Sequence, residues 1–132
     1  MKSSRSLAAP PQRYFVILVG HGSRQEGFQQ AMVKVASQIQ KDKRFSRVVC
    51  AYLEITYPSI QEAIEFCVKK GAKQIRILPY FILMGKHVQS DIPEIITTEI
   101  KKYAGVKISL CPYLGYDEKI VSLVKKRILQ VK

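Results

Sequence analysis

The 132-residue sequence contains no tryptophan, only two histidines and three cysteines, and no long hydrophobic run. The longest uncharged apolar stretch, Ile77 to Gly85, is about 9 residues long, whereas a membrane helix needs roughly 20. The cysteines at positions 50, 67 and 111 form no CxxC pair, which argues against a zinc knuckle and a disulfide framework. These absences exclude a membrane span and predict a protein of a reducing compartment, the cytoplasm.

Acidic residues are also scarce, since 22 Lys and Arg face 10 Asp and Glu and leave a net charge of +12. Residues 1–13 and 14–100 each carry +3, and residues 101–132 carry +6. A basic surface attracts nucleic acid, acidic lipid or a small polycarboxylate, and an ordinary solvated face is an equal alternative. Residues 1–13 lack acids and contain two prolines, which predicts a disordered basic tail, with an organellar presequence as the alternative.

From residue 14 onward, runs of β-branched and apolar residues alternate with helical stripes. The runs predict strands over residues 14–19, 48–53, 74–78 and 106–110. Four strands that alternate with four helices pair in parallel through right-handed crossovers. The sequence therefore predicts one domain over residues 14–132, a flavodoxin-like α/β sandwich with a four-stranded parallel sheet and helices on both faces.

The helix boundaries follow from capping residues, prolines and glycines. We expect Ser23 to cap the first helix with Glu26 completing a capping box, and Pro58 to lie in the first turn of the second. Gly71 is expected as the residue that ends the second helix. The third helix is predicted from Asp91, its N-cap, to Tyr103, with Pro93 in the first turn, and the fourth from Tyr116 or Asp117.

Three ionisable side chains follow three successive strands. His21 follows the first strand, Glu54 the second, and His87 lies on the predicted loop after the third. Open parallel sheets bind ligands at the carboxyl ends of their strands. Two imidazoles and a carboxylate there can hold Fe, Co, Ni or Zn, and they can take up protons near neutral pH. The alternative is that the histidines are hydrogen-bonded loop residues and that Glu54 caps a helix.

The segment from Gly20 to Arg24 excludes two other chemistries. It is not a nucleophile elbow, because Ser23 does not lie between two glycines as GxSxG requires. A phosphate-binding GxxxxGK[ST] loop is also absent. The two glycines allow a sharp turn and a close approach of the backbone to a ligand.

An unusually apolar loop, Tyr80 to Gly85, precedes His87. Loops at functional edges are generally polar. This loop either forms a flat apolar wall for a large aromatic ligand, or packs under the third helix or against a second subunit.

Three segments together carry a resemblance to a known family: GHGSR at residues 20–24, YLEITYPS at residues 52–59 and LPYFILMGKHVQSDIP at residues 78–93. They resemble the class II chelatases of the sirohydrochlorin group, and more narrowly their small, single-domain form. The resemblance extends over about residues 14–129. It implies insertion of Co²⁺, Ni²⁺ or Fe²⁺ into a polycarboxylate tetrapyrrole, with release of the pyrrole protons.

The resemblance also implies roles for individual residues. His21 and His87 would bind the metal, and Glu54 would orient an imidazole or relay a proton. The candidate substrate contacts are Ser23, Arg24, Tyr80, Phe81, Met84, Gly85 and Lys86. The metal is expected as substrate, without a permanently bound cofactor, and the chain is expected to pair as a homodimer. The remaining alternatives are a non-catalytic carrier of metal or tetrapyrrole and a basic module that binds nucleic acid.

Overall fold

A computed structural model describes residues 13–132, so the predicted tail lies outside the described residues except for Arg13. Strands and helices alternate along the chain. The elements are β1 (Tyr14–Gly20), α1 (Gln30–Ile39), β2 (Phe45–Tyr52), α2 (Ile60–Lys69), β3 (Gln74–Pro79), α3 (Lys86–Ile100), β4 (Lys107–Leu110) and α4 (Glu118–Leu129). The four predicted strands are confirmed, although β2 begins three residues earlier than expected, at Phe45.

The strands of the described chain form one parallel sheet in the order β2-β1-β3-β4. β1 lies in the interior of the sheet, and its residues from Phe15 to Gly20 are buried, as a strand covered on both faces requires. The register places Ile17 beside Val49 of β2 and Ile77 of β3. The predicted flavodoxin-like α/β fold is confirmed.

Helices cover the two faces of the sheet unequally. On one face, α2 and α3 pack on a large core that contains Ile17, Ile75 and Ile77, all fully buried. On the other face, α1 covers β1 and β2 through Met32 and Ala36. α4 buries none of its residues against the described chain. None of the described helices has the length and apolar composition that crossing a membrane requires.

α3 begins at Lys86, five residues before the predicted N-cap Asp91. Gly85 is the N-cap, and the Gln89 backbone N–H donates to the Gly85 carbonyl at 3.0 Å. Pro93 therefore lies inside the helix, where it removes one backbone donor, and not in the first turn. The expectation that His87 belongs to a loop is wrong for the same reason, because His87 is the second residue of α3.

α1 is not capped by Ser23, contrary to the prediction. A turn with Gly27 at φ 79° separates Ser23 from the helix, which begins at Gln30. The Ser23 hydroxyl instead accepts a hydrogen bond from the Gln25 backbone N–H at 3.0 Å, a local turn of the kind that serine favours. The predicted capping box with Glu26 is therefore not formed.

The capping box occurs at α2. The Ser59 hydroxyl accepts from the Glu62 N–H at 3.1 Å, and the Glu62 carboxylate accepts from the Ser59 N–H at 2.9 Å. Pro58 thus precedes the N-cap, and its predicted place in the first turn is wrong.

Gly71 ends α2 as predicted. It has φ 92°, and its N–H donates to the Val68 carbonyl at 3.0 Å. The next N–H, from Ala72, donates to the Cys67 carbonyl at 3.0 Å, which completes a Schellman motif. At the other end of the chain, Asp117 is the N-cap of α4, and its carboxylate accepts from the Lys119 N–H at 2.8 Å.

Candidate metal and macrocycle site at the carboxyl edge of the sheet

The candidate site lies where the strands end, and its centre is a pair formed by His21 and Glu54. The His21 Nε2 lies 3.2 Å from the Glu54 Oε1. Both side chains are open to solvent, with 60% of His21 and 58% of Glu54 exposed. An imidazole and a carboxylate in contact and accessible can bind a cation or transfer a proton. The predicted proximity of these two residues is thus observed.

Two loops bring the pair together, and hydrogen bonds join them beyond the ends of β1 and β2. The Leu53 N–H donates to the Gly20 carbonyl at 3.0 Å, and the Glu54 N–H donates to the His21 carbonyl at 3.1 Å. The loop after β2 is closed at its base, since the Tyr52 N–H donates to the Pro58 carbonyl at 2.9 Å. The backbones of the two residues are therefore linked directly, and not only through their side chains.

Gly22 permits this close approach. Its φ is 106°, a conformation that side chains with a Cβ rarely adopt. A Cβ at this position would also lie 1.9 Å from the Glu54 carbonyl oxygen. The second glycine of the GHGS segment is required because the loop after β2 packs directly on its backbone.

His87 lies on the same edge, exposed in the first turn of α3. It does not complete a three-residue cluster: within residues 13–132, no three His, Cys, Asp or Glu side chains are close enough together to hold a metal ion. The structure thus brings His21 and Glu54 into contact and leaves His87 apart from that pair.

The apolar loop after β3 divides into a packed part and an exposed part. Tyr80 and Phe81 are half-buried and pack against the two cores on opposite faces of the sheet. Met84 is also half-buried, and its carbonyl accepts a hydrogen bond from the Gln89 side chain at 2.9 Å. Ile82 and Leu83 project into solvent, Leu83 with 86% of its surface exposed. The loop therefore packs on the cores through Tyr80 and Phe81, and its role as a wall for a ligand stays a prediction.

Several exposed apolar side chains on this edge were missed by the sequence reasoning. Ile55 and Tyr57 lie on the loop after β2, and Tyr113 and Tyr116 lie on the loop after β4. The loop after β4 is tied to the loop after β3, because the Gly115 N–H donates to the Phe81 carbonyl at 3.3 Å. Together with Ile82 and Leu83, these residues form an apolar rim. The aromatic residues in the segments after β2 and β4 were the sequence feature from which this rim could have been predicted.

The remaining candidate contacts also lie on this edge. Arg24 is exposed in the loop after β1, Gly85 caps α3 and Lys86 is the exposed first residue of that helix. Ser23 is half-buried, and its backbone N–H and carbonyl both bond to the hydroxyl of Thr56, a residue that the sequence reasoning did not single out.

The basic residues of the described loops are divided unequally between the two edges of the sheet. The segments that leave the strand ends (residues 21–29, 53–59, 80–85 and 111–117) carry one basic and three acidic residues. The segments that lead into β2, β3 and β4 (residues 40–44, 70–73 and 101–106) carry seven basic residues and one acidic residue. Cations gather there because those segments follow the carboxyl ends of helices, where the helix dipole favours positive charge.

The fold is that of a parallel α/β protein, and the contact between an imidazole and a carboxylate makes the carboxyl edge of its sheet the candidate ligand site. Residues 15–131 match the model of the CbiX family, and the chain belongs to this family.

Relatives with established names agree with this family. The chain is 31% identical over 118 residues to the sirohydrochlorin cobaltochelatase of Sulfurisphaera tokodaii, which covers 89% of this chain and 93% of that protein. It is 32% identical over 116 residues to the sirohydrochlorin ferrochelatase of Bacillus subtilis, which covers 88% of this chain and 44% of that protein. The resemblance to the sirohydrochlorin chelatases is confirmed.

A solved structure shows the same fold. The sirohydrochlorin chelatase SirB from Bacillus subtilis subspecies spizizenii, in complex with cobalt, superposes with a TM-score of 0.81 at 30% identity. The match covers 91% of this chain and 51% of SirB. The chain spans about half the length of this structure and of the curated ferrochelatases that it matches.

Proposed function

We propose that this protein inserts a divalent metal ion, Co²⁺, Ni²⁺ or Fe²⁺, into sirohydrochlorin at the carboxyl edge of its sheet. The observation that carries the proposal is the exposed contact between His21 and Glu54 in a chain of the CbiX family. The named relatives use iron or cobalt. Imidazole and carboxylate ligands suit Fe, Co and Ni alike, so the site chemistry supports the class of metal and not one ion.

The orientation of His21 suits a metal ligand. Its Nε2 faces a carboxylate oxygen, and an N–H that donates to a carboxylate leaves the other ring nitrogen, Nδ1, free to bind a cation. Glu54 would hold the ring in this orientation. His87 would join the ion from the first turn of α3 as substrate binds.

Insertion also removes two pyrrole N–H protons, which need an acceptor beside the ring. His21 and His87 are the two histidines of the chain and lie on this edge, and Glu54 provides a path for a proton from His21 to solvent. The macrocycle would lie on the apolar rim, with Ile82 and Leu83 against its face. Arg24 and Lys86 would hold its carboxylates, with Ser23, Tyr80, Phe81, Met84 and Gly85 shaping the floor of the site.

A panel of metals tests the proposal. Sirohydrochlorin is mixed anaerobically with each ion and the protein, and the absorbance change is followed. Acceleration with at least one of Co²⁺, Ni²⁺ and Fe²⁺ is expected, with losses of about 10²-fold or more for His21→Ala and for His87→Ala. Wild-type rates in both variants would contradict the site. Tight binding of metal and macrocycle without turnover would identify a carrier.

We further propose that the working unit is a homodimer, because two surfaces of this chain are left uncovered. α4 exposes an apolar stripe of Val121, Val124 and Ile128. The face of the sheet that carries α1 has a cavity of about 240 Å³ lined partly by Leu78 and Cys111. A second copy can cover such surfaces, and it would supply the half that the longer relatives contain.

Sedimentation of the wild type and two variants tests the dimer. Val124→Glu combined with Ile128→Glu is expected to give monomers at concentrations at which the wild type is dimeric. Lys126→Glu, on the opposite face of α4, is the control and is expected to stay dimeric. A monomeric wild type at all concentrations would contradict the proposal.

We also propose that the reaction takes place in the cytoplasm and without a resident cofactor. The three cysteines are free thiols. Burial raises the pKa of Cys67 to about 12, which keeps this thiol protonated and inert. Free thiols at these positions fit a reducing compartment.

A further inference from the structure

The hydroxyl of Thr56 joins the two loops that carry His21 and Glu54. It accepts a hydrogen bond from the Ser23 N–H at 3.2 Å and donates one to the Ser23 carbonyl at 3.1 Å. The N–H and the carbonyl of Ser23 are thus both hydrogen-bonded to one half-buried side chain, which lies 33 residues away in sequence. A buried N–H that loses such a partner is costly, so this contact holds the loops in one arrangement.

The contact between Thr56 and Ser23 lies at the same distance in sequence from each member of the His21–Glu54 pair. Ser23 lies two residues after His21, and Thr56 lies two residues after Glu54. On the other side, the Glu54 N–H donates to the His21 carbonyl. The imidazole and the carboxylate therefore lie on two short backbone segments, one from each loop, that are hydrogen-bonded to each other at both ends.

The backbone between Glu54 and Thr56 is strained. Ile55 has φ 67°, which is unusual for a β-branched residue, and the Thr56 N–H donates to the Glu54 carbonyl at 2.6 Å. This three-residue turn with a positive central φ is the rare, strained γ-turn form. The Ile55 side chain is 57% exposed, so core packing does not hold it there.

Strain of this kind persists only where surrounding contacts over-determine the backbone. Two contacts flank the turn: Glu54 packs against Gly22, and Thr56 bonds to Ser23. The Thr56 hydroxyl is thus one of two contacts that oppose relaxation of the turn, and such relaxation would rotate the Glu54 backbone relative to His21.

We infer that Thr56 is a positioning residue for the His21–Glu54 pair, whose hydroxyl sets the separation and orientation of the two side chains that meet the metal. The part that concerns the metal rests on the proposed function. Thr56 acts through Ser23 and the strained turn. Among the described residues, its hydroxyl is hydrogen-bonded to the Ser23 backbone and not to the side chain of His21 or Glu54.

The first test needs no metal. The ring resonances of His21 and His87 are recorded by NMR in the wild type, Thr56→Val and Thr56→Ser, with His87 as the internal reference. Thr56→Val keeps the side-chain size and removes the hydroxyl, so the His21 ring signals are expected to shift while those of His87 stay. Thr56→Ser is expected to restore the wild-type signals. An unchanged His21 ring in Thr56→Val would overturn the inference.

The second test measures Co²⁺ affinity and the visible spectrum of bound Co²⁺. Thr56→Val is expected to weaken binding by about 10-fold, within the range for residues that orient a ligand, and Thr56→Ser to remain close to wild type. Thr97→Val is the control, because the Thr97 hydroxyl also donates to a backbone carbonyl, that of Pro93, but within α3. Equal weakening in Thr56→Ser and Thr56→Val would show that the hydroxyl is not responsible and overturn the inference.

The two tests separate the inference from the proposed function. A wild type that binds no Co²⁺ contradicts the chelatase proposal, while the ring signals still decide the role of Thr56. Should Thr56→Val fail to fold, Thr56→Ala replaces it, and a His21 ring signal and Co²⁺ affinity equal to those of Thr56→Ser overturn the inference.

Discussion

The edge where the strands end and the edge where they begin belong to the same four strands, yet they are built differently. The first carries the exposed His21–Glu54 pair, a strained turn and the apolar rim. The second carries seven basic residues and one acidic residue in its loops, and its ion pairs, such as Asp42 with Arg44 and Glu99 with Lys102, join neighbours in sequence. Charge alone would predict a functional site at the second edge, whereas the backbone strain and the paired ionisable groups indicate a functional site at the first.

This difference shows how the ligand would be held. Because the loops of the carboxyl edge carry one basic residue, we expect apolar contact and a few specific cations, Arg24 and Lys86, to hold the ligand. The cations of the basic edge interact favourably with the carboxyl ends of the helices that precede them. Substitutions at the two edges test this division, and the largest effect is expected at the glycines.

Substitution of two glycines with similar backbone angles compares the packing at the two edges through the stability that is lost. Gly22 at the carboxyl edge and Gly71 at the amino edge have φ 106° and 92°. In Gly71→Ala the new Cβ meets no atom within 4 Å. Only the left-handed backbone conformation then lowers the free energy of unfolding, by about 1–2 kcal/mol. Gly22→Ala also forces its Cβ against the Glu54 carbonyl, which adds about 1–3 kcal/mol. Urea unfolding measures both, and equal losses would contradict the close packing described for Gly22.

The carboxylate of the pair should matter far more than a paired carboxylate at the other edge. Glu54→Gln keeps the shape and removes the charge that orients His21, so metal insertion is expected to slow by about 10–100-fold. Asp42→Asn breaks the pair with Arg44 and is expected to leave the rate unchanged. Similar rates for the two variants would remove Glu54 from the mechanism.

Single cations should affect substrate affinity only at the carboxyl edge. Arg24→Gln is expected to raise the KM for sirohydrochlorin by about twofold to fivefold, the range for one exposed charge pair. Lys43→Gln removes the same charge at the amino edge and is expected to leave KM unchanged. Initial rates at several salt concentrations measure both, and a matching rise for Lys43→Gln would show that general attraction dominates.

The smallest effect concerns pH and stability at the amino edge. The Arg44 guanidinium and backbone N–H hold the pKa of Asp42 at about 2, below its usual 3.8. A lowered carboxyl pKa contributes stability above the usual value and loses it as the pH falls through about 2. The melting temperature of Asp42→Asn should lie slightly below that of the wild type near neutral pH, and the two should converge near pH 2. A constant difference across this range would contradict the shifted pKa.

The local errors of the sequence reasoning have physical causes. Ser23 was expected to cap α1 because serine followed by Glu26 matches a capping box, but the turn at Gly27 ends that geometry. Proline is tolerated in a first turn, which predicts that place for Pro93, but α3 extends back to Lys86 from a glycine cap. Start signals are local, whereas the residue at which a helix begins depends on the loop before it.

Apolar periodicity and the positions of strand ends are local properties of the chain. They were enough to predict the parallel sheet, the alternation of strands and helices, and the edge on which His21, Glu54 and His87 lie. Tertiary structure alone decided that His21 contacts Glu54 while His87 stays apart, that Thr56 bonds to Ser23, and that α4 is left uncovered. Such contacts depend on how loops distant in sequence close against each other, and side-chain periodicity carries no record of that closure.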